Sequence, residues 1–248
     1  MSEIAIVTGA SRGIGRAVAL KLAANGFDVC VNYCANESAA LGVVAEIEAL
    51  GQRAIAVRAD VAVEADIVRM FEAVDERLGV VSALVNNAGI IQPQMSLVDM
   101  DAARVNKIMQ INVTGTIICC REAAKRMSTD LGGVGGVIVN LSSAAAKHGS
   151  AGEYVDYAAS KGAVDTLTKG IAFELALQGV RVNAVRPGII DTEIHASGGV
   201  PDRFERMGAG LPMGRGGTPE EVADVICYLL SDAASYVTAT IVDVAGGR

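Results

Sequence analysis

"TGASRGIG", residues 8–15, stands between a short apolar run, "IAIVT" (4–8), and a stretch of helical period, "IGRAVALKLAANG" (14–26). Gly9, Gly13 and Gly15 remove side chains where a backbone turn must come close to a neighbour. Strand, glycine-rich turn and helix N-terminus in this order make a phosphate cradle: the first-turn amides have no intrahelical partner and the helix dipole is positive there. A glycine-rich turn alone serves an ordinary tight turn equally well; the flanking strand and helix make it a dinucleotide site. The spacing departs from the usual GxGxxG, with three residues between the first two glycines.

Outward from this turn the same alternation repeats. Strands are predicted at 28–33, 53–59, 83–87, 136–142, 180–186 and 240–244, all rich in Val and Ile and apolar on both faces. Helical stretches such as "ESAALGVVAEIEALG" (37–51) and "EADIVRMFEAVDERLG" (64–79) run between them and stop at glycine. Repeated strand–helix units predict an α/β fold of Rossmann type, a doubly wound parallel sheet of about seven strands with helices on both faces. No linker, repeat or low-complexity tract divides residues 1–248, so one catalytic domain is expected. The glycine-rich run "GVPDRFERMGAGLPMGRGGTPEE" (199–221) follows the sixth strand, and a substrate lid is expected near 191–217.

Composition removes several function classes. The net charge of −7, with no basic run, argues against nucleic-acid or anionic-membrane partners. No stretch reaches the roughly 20 apolar residues of a membrane-spanning helix, and the N-terminus lacks the pattern of a secretory signal. Five cysteines without CxxC spacing and two histidines, His148 and His195, predict no metal site and free thiols in a reducing cytoplasm.

The TGxxxGxG spacing resembles the cofactor loop of the short-chain dehydrogenase/reductase family, single-domain type. The resemblance extends over the whole chain through "NNAG" (86–89), Asn112, the pair Ser142–Ser143, Tyr157 with Lys161, and "PG" (187–188). It is strongest to bacterial sugar (glucose 1-) dehydrogenases and 3-oxoacyl-carrier-protein reductases. It implies that Gly9, Ser11, Arg12, Gly13, Ile14 and Gly15 hold the cofactor phosphates and that Asp60 and Val61 hold the adenine. Asn87, Ala88 and Gly89 are implied to line the cleft with Pro187 and Gly188, and Ile190 and Thr192 to meet the carboxamide. The pattern departs at the C-terminus, with Ala239 and Ala245 where Gly, then Asp or Gly, are usual.

"GEYVDYAASKG" (152–162) carries the reacting centre. Residues four apart are helix neighbours, so Lys161 is expected beneath the ring of Tyr157. Its ammonium, with an oxidised nicotinamide, would favour the phenolate and fit Tyr157 for general acid–base work. Tyr154 lies about two turns from Lys161, beside glycines that place it at the helix start, and is expected not to react but either to pack against the ligand or to cover the core edge. The family resemblance implies that Lys161 also holds the nicotinamide ribose and that Ser143 bonds the substrate oxygen. Ser142 is the alternative, because the loop to Tyr157 is one residue longer than usual. Asn112 is implied to support a proton-relaying water; an amide satisfied by backbone is the plainer reading. His148, Glu153 and His195 are candidates for the pocket wall or for solvated surface.

The tip of the second strand reads "VNYCANE", with Tyr33 where NAD enzymes of the family carry Asp. Glu37 is expected in the first turn of the next helix behind an Asn36 cap, and Arg12 supplies a cation for a 2′-phosphate. NADP is therefore expected, with NAD as the alternative, for hydride transfer between a secondary alcohol and a ketone. A homotetramer paired through helices near 104–127 and 157–177 is implied. The rival readings are a dinucleotide sensor on the same fold, which usually lacks the tyrosine or lysine, and an epimerase or dehydratase, which needs a longer substrate domain.

Overall fold

The computed structural model describes residues 3–248; the side chain of His195 lies outside the described residues. Seven parallel strands form one sheet in the order β3-β2-β1-β4-β5-β6-β7. They are β1 (Ile4–Val7), β2 (Asp28–Tyr33), β3 (Ala54–Arg58), β4 (Ala83–Asn86), β5 (Gly136–Leu141), β6 (Val180–Pro187) and β7 (Ile241–Val244). Each lies within one residue of its expected bounds, because both faces of the sheet are covered and the apolar runs end where burial ends.

The helices are α1 (Gly13–Ala24), α2 (Glu37–Ala49), α3 (Glu64–Arg77), α4 (Ala102–Met109), α5 (Gly115–Met127) and α6 (Ala145–His148). They continue with α7 (Val155–Leu175), α8 (Ile194–Ser197), α9 (Arg203–Gly208) and α10 (Pro219–Leu230). Alternation within β1 divides the core in two. Ala5 and Val7 pack with Val18 and Leu22 of α1, Ile47 of α2 and Ile226 of α10. Ile4 and Ile6 face the opposite side, with Phe71 of α3, Cys119 of α5 and Ala172 of α7. Burying side chains of this size stabilises the fold by roughly 1.5–3 kcal/mol each.

β1 lies between β2 and β4, so the chain leaves it in one direction for β2 and β3 and crosses back for β4. That reversal opens a crevice at the carboxyl ends of the strands, where α/β sheets take their ligands. α4 and α5 do not join as one regular helix: Gln110–Thr114 form a π-helical turn between them. The turn brings Gly115 against β3's exit loop, where an added Cβ would stand 2.5 Å from the Val61 carbonyl oxygen. Between β6 and α10 the segment that includes α8 and α9 is tied down by an isolated parallel bridge, Ile190 to Gly217.

Ala239 adopts a φ of +59°. The left-handed region is costly to any residue with a Cβ, which accounts for glycine being usual at this position. Ala245 packs against Gly188, whose added Cβ would meet the Ala245 Cα at 2.7 Å.

Candidate active site

The cradle is built by side chains that clamp its backbone. Thr8 Oγ1 accepts from the amides of Asn87 and Ala88 and donates to the Val85 carbonyl. Asn87 Nδ2 returns the contact to the Thr8 and Gly9 carbonyls. From the other side, Asn32 Oδ1 accepts from the Gly9 amide at 3.1 Å, and Asn32 Nδ2 donates to the carbonyls of Ala59 and Val57. The turn after β1 is thus fixed to the exits of β2, β3 and β4. Gly9 and Gly13 have φ of +63° and +53°, which only glycine adopts without strain.

α1 begins without a side-chain cap and with no acid in its first turn. Its leading amides therefore open on a cleft of about 500 Å³, a volume suited to a ligand of cofactor size. Among the residues singled out from the sequence, Gly9, Arg12, Gly13 and Ile14 line that cleft near α1. Asp60, Val61, Asn87, Ala88 and Gly89 line its floor, and Pro187, Gly188, Ile190 and Thr192 its far wall with Ser143, Tyr157 and Lys161. Ser11, Gly15 and Asn112 do not. Gly15 serves packing: a Cβ there would stand 2.4 Å from the Gly9 carbonyl oxygen and from Asn87 Nδ2. Asp60 turns its carboxylate back to accept from the Ala62 amide.

At the reacting end, α7 starts at Val155, with Tyr154 just outside it. Lys161 Nζ lies 5.7 Å from the Tyr157 ring centroid and donates to the Leu141 carbonyl at 2.7 Å. The Tyr157 phenol lies close enough to the Ser143 hydroxyl to be influenced by it. Ser142 Oγ instead donates to the Lys161 carbonyl, inside the core. Both serines line the cleft, but the hydroxyl of Ser143 is the one beside the phenol, while that of Ser142 buttresses α7. Tyr154 is 2% exposed, and its hydroxyl donates to the Gly198 carbonyl of the segment following β6.

Electrostatics differ from the sequence expectation. Burial raises the Tyr157 phenol above its usual range, and the Ser143 hydrogen bond offsets this only in part. Burial also pulls the Lys161 amine down to about 8, against the attraction of Asp165. For both groups desolvation outweighs the neighbours that favour the charged form. The phenol thus stays protonated in the protein alone, which is the state needed to donate a proton to a ketone oxygen.

Asn112 makes the contacts of a satisfied amide: Oδ1 accepts from the Ile90 amide, and Nδ2 donates to the Ile90 carbonyl and to Ser160 Oγ. It still stands beside the lysine, since an added Cβ on Gly89 would be 3.3 Å from Asn112 Oδ1 and 3.5 Å from Lys161 Nζ. The π-helical turn that carries it has no signature in the sequence beyond a polar residue in an apolar helix.

The Asn36 side chain caps α2 by accepting from the Ala39 amide. Glu37, first in that helix, bonds the Tyr33 phenol. Arg58, at the end of β3, reaches back and donates from Nε to the Cys34 carbonyl. It brings a second cation beside the strand tip where Arg12 was expected alone. Sequence reasoning missed Arg58 because its cross-strand partner, Tyr33, is set by sheet register. Among the described residues no group of three or more metal-ligating side chains comes together, and no helix is long and apolar enough to cross a membrane.

Residues 9–248 match the family model described as Enoyl-(Acyl carrier protein) reductase. The chain is 55% identical over 245 residues to YgfF, an uncharacterised oxidoreductase of Escherichia coli K12, with 99% of both chains covered. It is 40% identical over 252 residues to a 3-oxoacyl-acyl-carrier-protein reductase of Synechocystis, covering 99% of this chain and 96% of that one. A short-chain dehydrogenase of Burkholderia cenocepacia, solved in complex with NADP, superposes with a TM-score of 0.90 at 33% identity, covering 99% and 97% of the two chains. The chain belongs to the short-chain dehydrogenase/reductase family. Within that family it is an oxidoreductase.

Proposed function

We propose that the chain is an NADP(H)-dependent enzyme interconverting a secondary alcohol and a ketone of sugar or 3-oxoacyl type. The observation that carries this is the meeting of the Tyr157 phenol, the Ser143 hydroxyl and the Lys161 amine at one end of the cleft. The cofactor, when bound, supplies hydride chemistry that no side chain offers. The uncapped amides of α1 and the turn at Gly9, Ser11, Gly13 and Ile14 would hold its diphosphate, with Gly15 keeping α1 close enough to do so. Asp60 and Val61 would receive the adenine, and Ile190 and Thr192 the carboxamide. Lys161 would hold the ribose, and Asn112 would steady the backbone at Ile90 beside it.

Ser143 orients the substrate oxygen, and Tyr157 gives it a proton in reduction or takes one in oxidation. NADP is favoured over NAD because Tyr33 ends β2 with Glu37 drawn against its phenol, while Arg12 lines the cleft and Arg58 reaches the Cys34 carbonyl at the strand tip. The segment 191–217 acts as a lid over the single domain. Exposed Val105, Ile117 and Phe173 on α4, α5 and α7 support pairing into a homotetramer. A sensor role is disfavoured because both Tyr157 and Lys161 are kept at the cleft.

The test is turnover of a ketone panel with NADPH. Tyr157→Phe keeps the ring and removes the proton, so kcat falls by about 10²-fold or more, while cofactor affinity barely changes. Tyr154→Phe leaves kcat within several-fold. Near-normal turnover in Tyr157→Phe refutes the assignment.

A further inference from the structure

A second cavity, of about 80 Å³, shares Ser143, Tyr157, Gly188 and Ile194 with the cofactor cleft and so opens on the reacting centre. Its other wall brings together three basic side chains from distant parts of the chain: His148 at the end of α6, Arg203 at the start of α9, and Arg248. Arg203 is 9% exposed, pairs with Glu153 Oε2 at 2.7 Å and lies 5.2 Å from the Tyr154 ring centroid. These contacts fix its guanidinium against the wall while using only part of its donor fork. The Arg248 guanidinium is half-buried, lies close enough to feel Arg203, and among the described residues its side chain has no hydrogen-bond or ion-pair partner.

One carboxylate, Glu153, serves both guanidiniums: it is ion-paired to Arg203 and close enough to be felt by Arg248. A buried or half-buried guanidinium beside another is costly unless an anion completes it. Planar forks of this kind take carboxylates and phosphates through two parallel hydrogen bonds. His148 is held toward its neutral form by burial and by the two arginines, which leaves it as a hydrogen-bonding wall rather than a third charge. Ile91 and Ile194 close the cavity with apolar surface.

We propose that the substrate carries an oxyanionic group, a carboxylate or a phosphate, which Arg203 and Arg248 bind while its carbonyl meets Ser143 and Tyr157. The inference rests on the proposed ketone-reducing activity and narrows its substrate to an anionic oxo compound. Arg203 and Arg248 are specificity residues. They set KM for the charged substrate and leave the proton transfer to Tyr157.

The test compares matched probes with NADPH: acetoacetate against its ethyl ester, levulinate against its ethyl ester, and dihydroxyacetone phosphate against dihydroxyacetone. At least one charged member is expected to exceed its neutral partner by about 10-fold or more in kcat/KM, the worth of one good charge-assisted contact. Whether the acids or the phosphate win distinguishes the two oxyanions. Arg248→Gln brings the ratio to within about threefold through KM, with the KM for NADPH unchanged; Arg203→Gln does the same. In a parallel measurement with NADP present, malonate or inorganic phosphate raises the melting temperature of the wild type and not of Arg248→Gln. Neutral probes turned over as well as charged ones, or a charge preference that survives both substitutions, overturns the proposal. If no probe turns over, ketone reduction itself is in question; the melting shift then decides alone, and no anion-dependent rise, or a rise equal in Arg248→Gln, overturns the anion site.

Discussion

Arg104 and Asp156 form an ion pair that is almost fully withdrawn from water, with side chains 6% and 2% exposed. Arg104 Nε meets Asp156 Oδ2 at 2.6 Å, and Nη1 donates to the Pro93 carbonyl at 2.8 Å. Asp156 Oδ1 also accepts from the Tyr157 amide at 2.9 Å, so the pair ties α4 to the first turn of α7 at Tyr157. Arg104→Met leaves a buried carboxylate with one backbone donor in place of a fork. Removing one partner of such a pair costs about 3–5 kcal/mol, because the remaining charge stays desolvated. Against a total stability of roughly 5–15 kcal/mol, that is a large loss. The double substitution Arg104→Met with Asp156→Leu removes both charges and is expected to cost at least 2 kcal/mol less than the sum of the singles. Urea denaturation at one fixed protein concentration measures all four corners of the cycle, and kcat follows the loss because the Tyr157 backbone is no longer anchored. A single-substitution cost below about 1 kcal/mol, or strict additivity in the double, refutes this account of how α7 is held.

Three further outcomes are expected. Ala239→Gly relieves a left-handed alanine worth about 1–2 kcal/mol and gives back about 0.5–1 kcal/mol of chain entropy; calorimetry should show a small rise in melting temperature, and a fall contradicts it. Glu221 caps α10 through the Thr218 amide and pairs with Arg215, which lowers its carboxyl from 4.5 to about 2. A depressed carboxyl stabilises above its unfolded value and loses that contribution as pH falls through the folded one. The stability gap between the wild type and Glu221→Gln is therefore present at pH 7 and closes between about pH 4.5 and 2, as denaturation at several pH values would show; a gap that persists at pH 2 contradicts it. Arg58→Ala lowers the kcat/KM ratio of NADPH to NADH by about tenfold, and Arg12→Ala does likewise, with NADH kinetics little altered; a wild type that prefers NADH overturns this reading.

The parallel sheet was legible because its evidence is local. Val- and Ile-rich runs bounded by glycines mark strands at every step of the chain, and the turn at Gly9 and Gly13 carries its own backbone demand. Tyr157 and Lys161 were equally legible, since four residues of helix bring two side chains together without help from elsewhere. Which of Ser142 and Ser143 turns its hydroxyl to the Tyr157 phenol depends on how a strand end is turned, and only the packing of α7 on β5 sets that. The π-helical turn at Asn112 follows from how α4 and α5 fit against their neighbours, and no single residue announces it. Arg58 reaches Cys34 through the register of β2 on β3. His148, Arg203 and Arg248 meet across a hundred residues of sequence. Even the direction in which Tyr157 and Lys161 titrate was decided by burial, a property of the folded whole: neighbours in sequence fix which groups can touch, and long-range packing fixes how much water they keep.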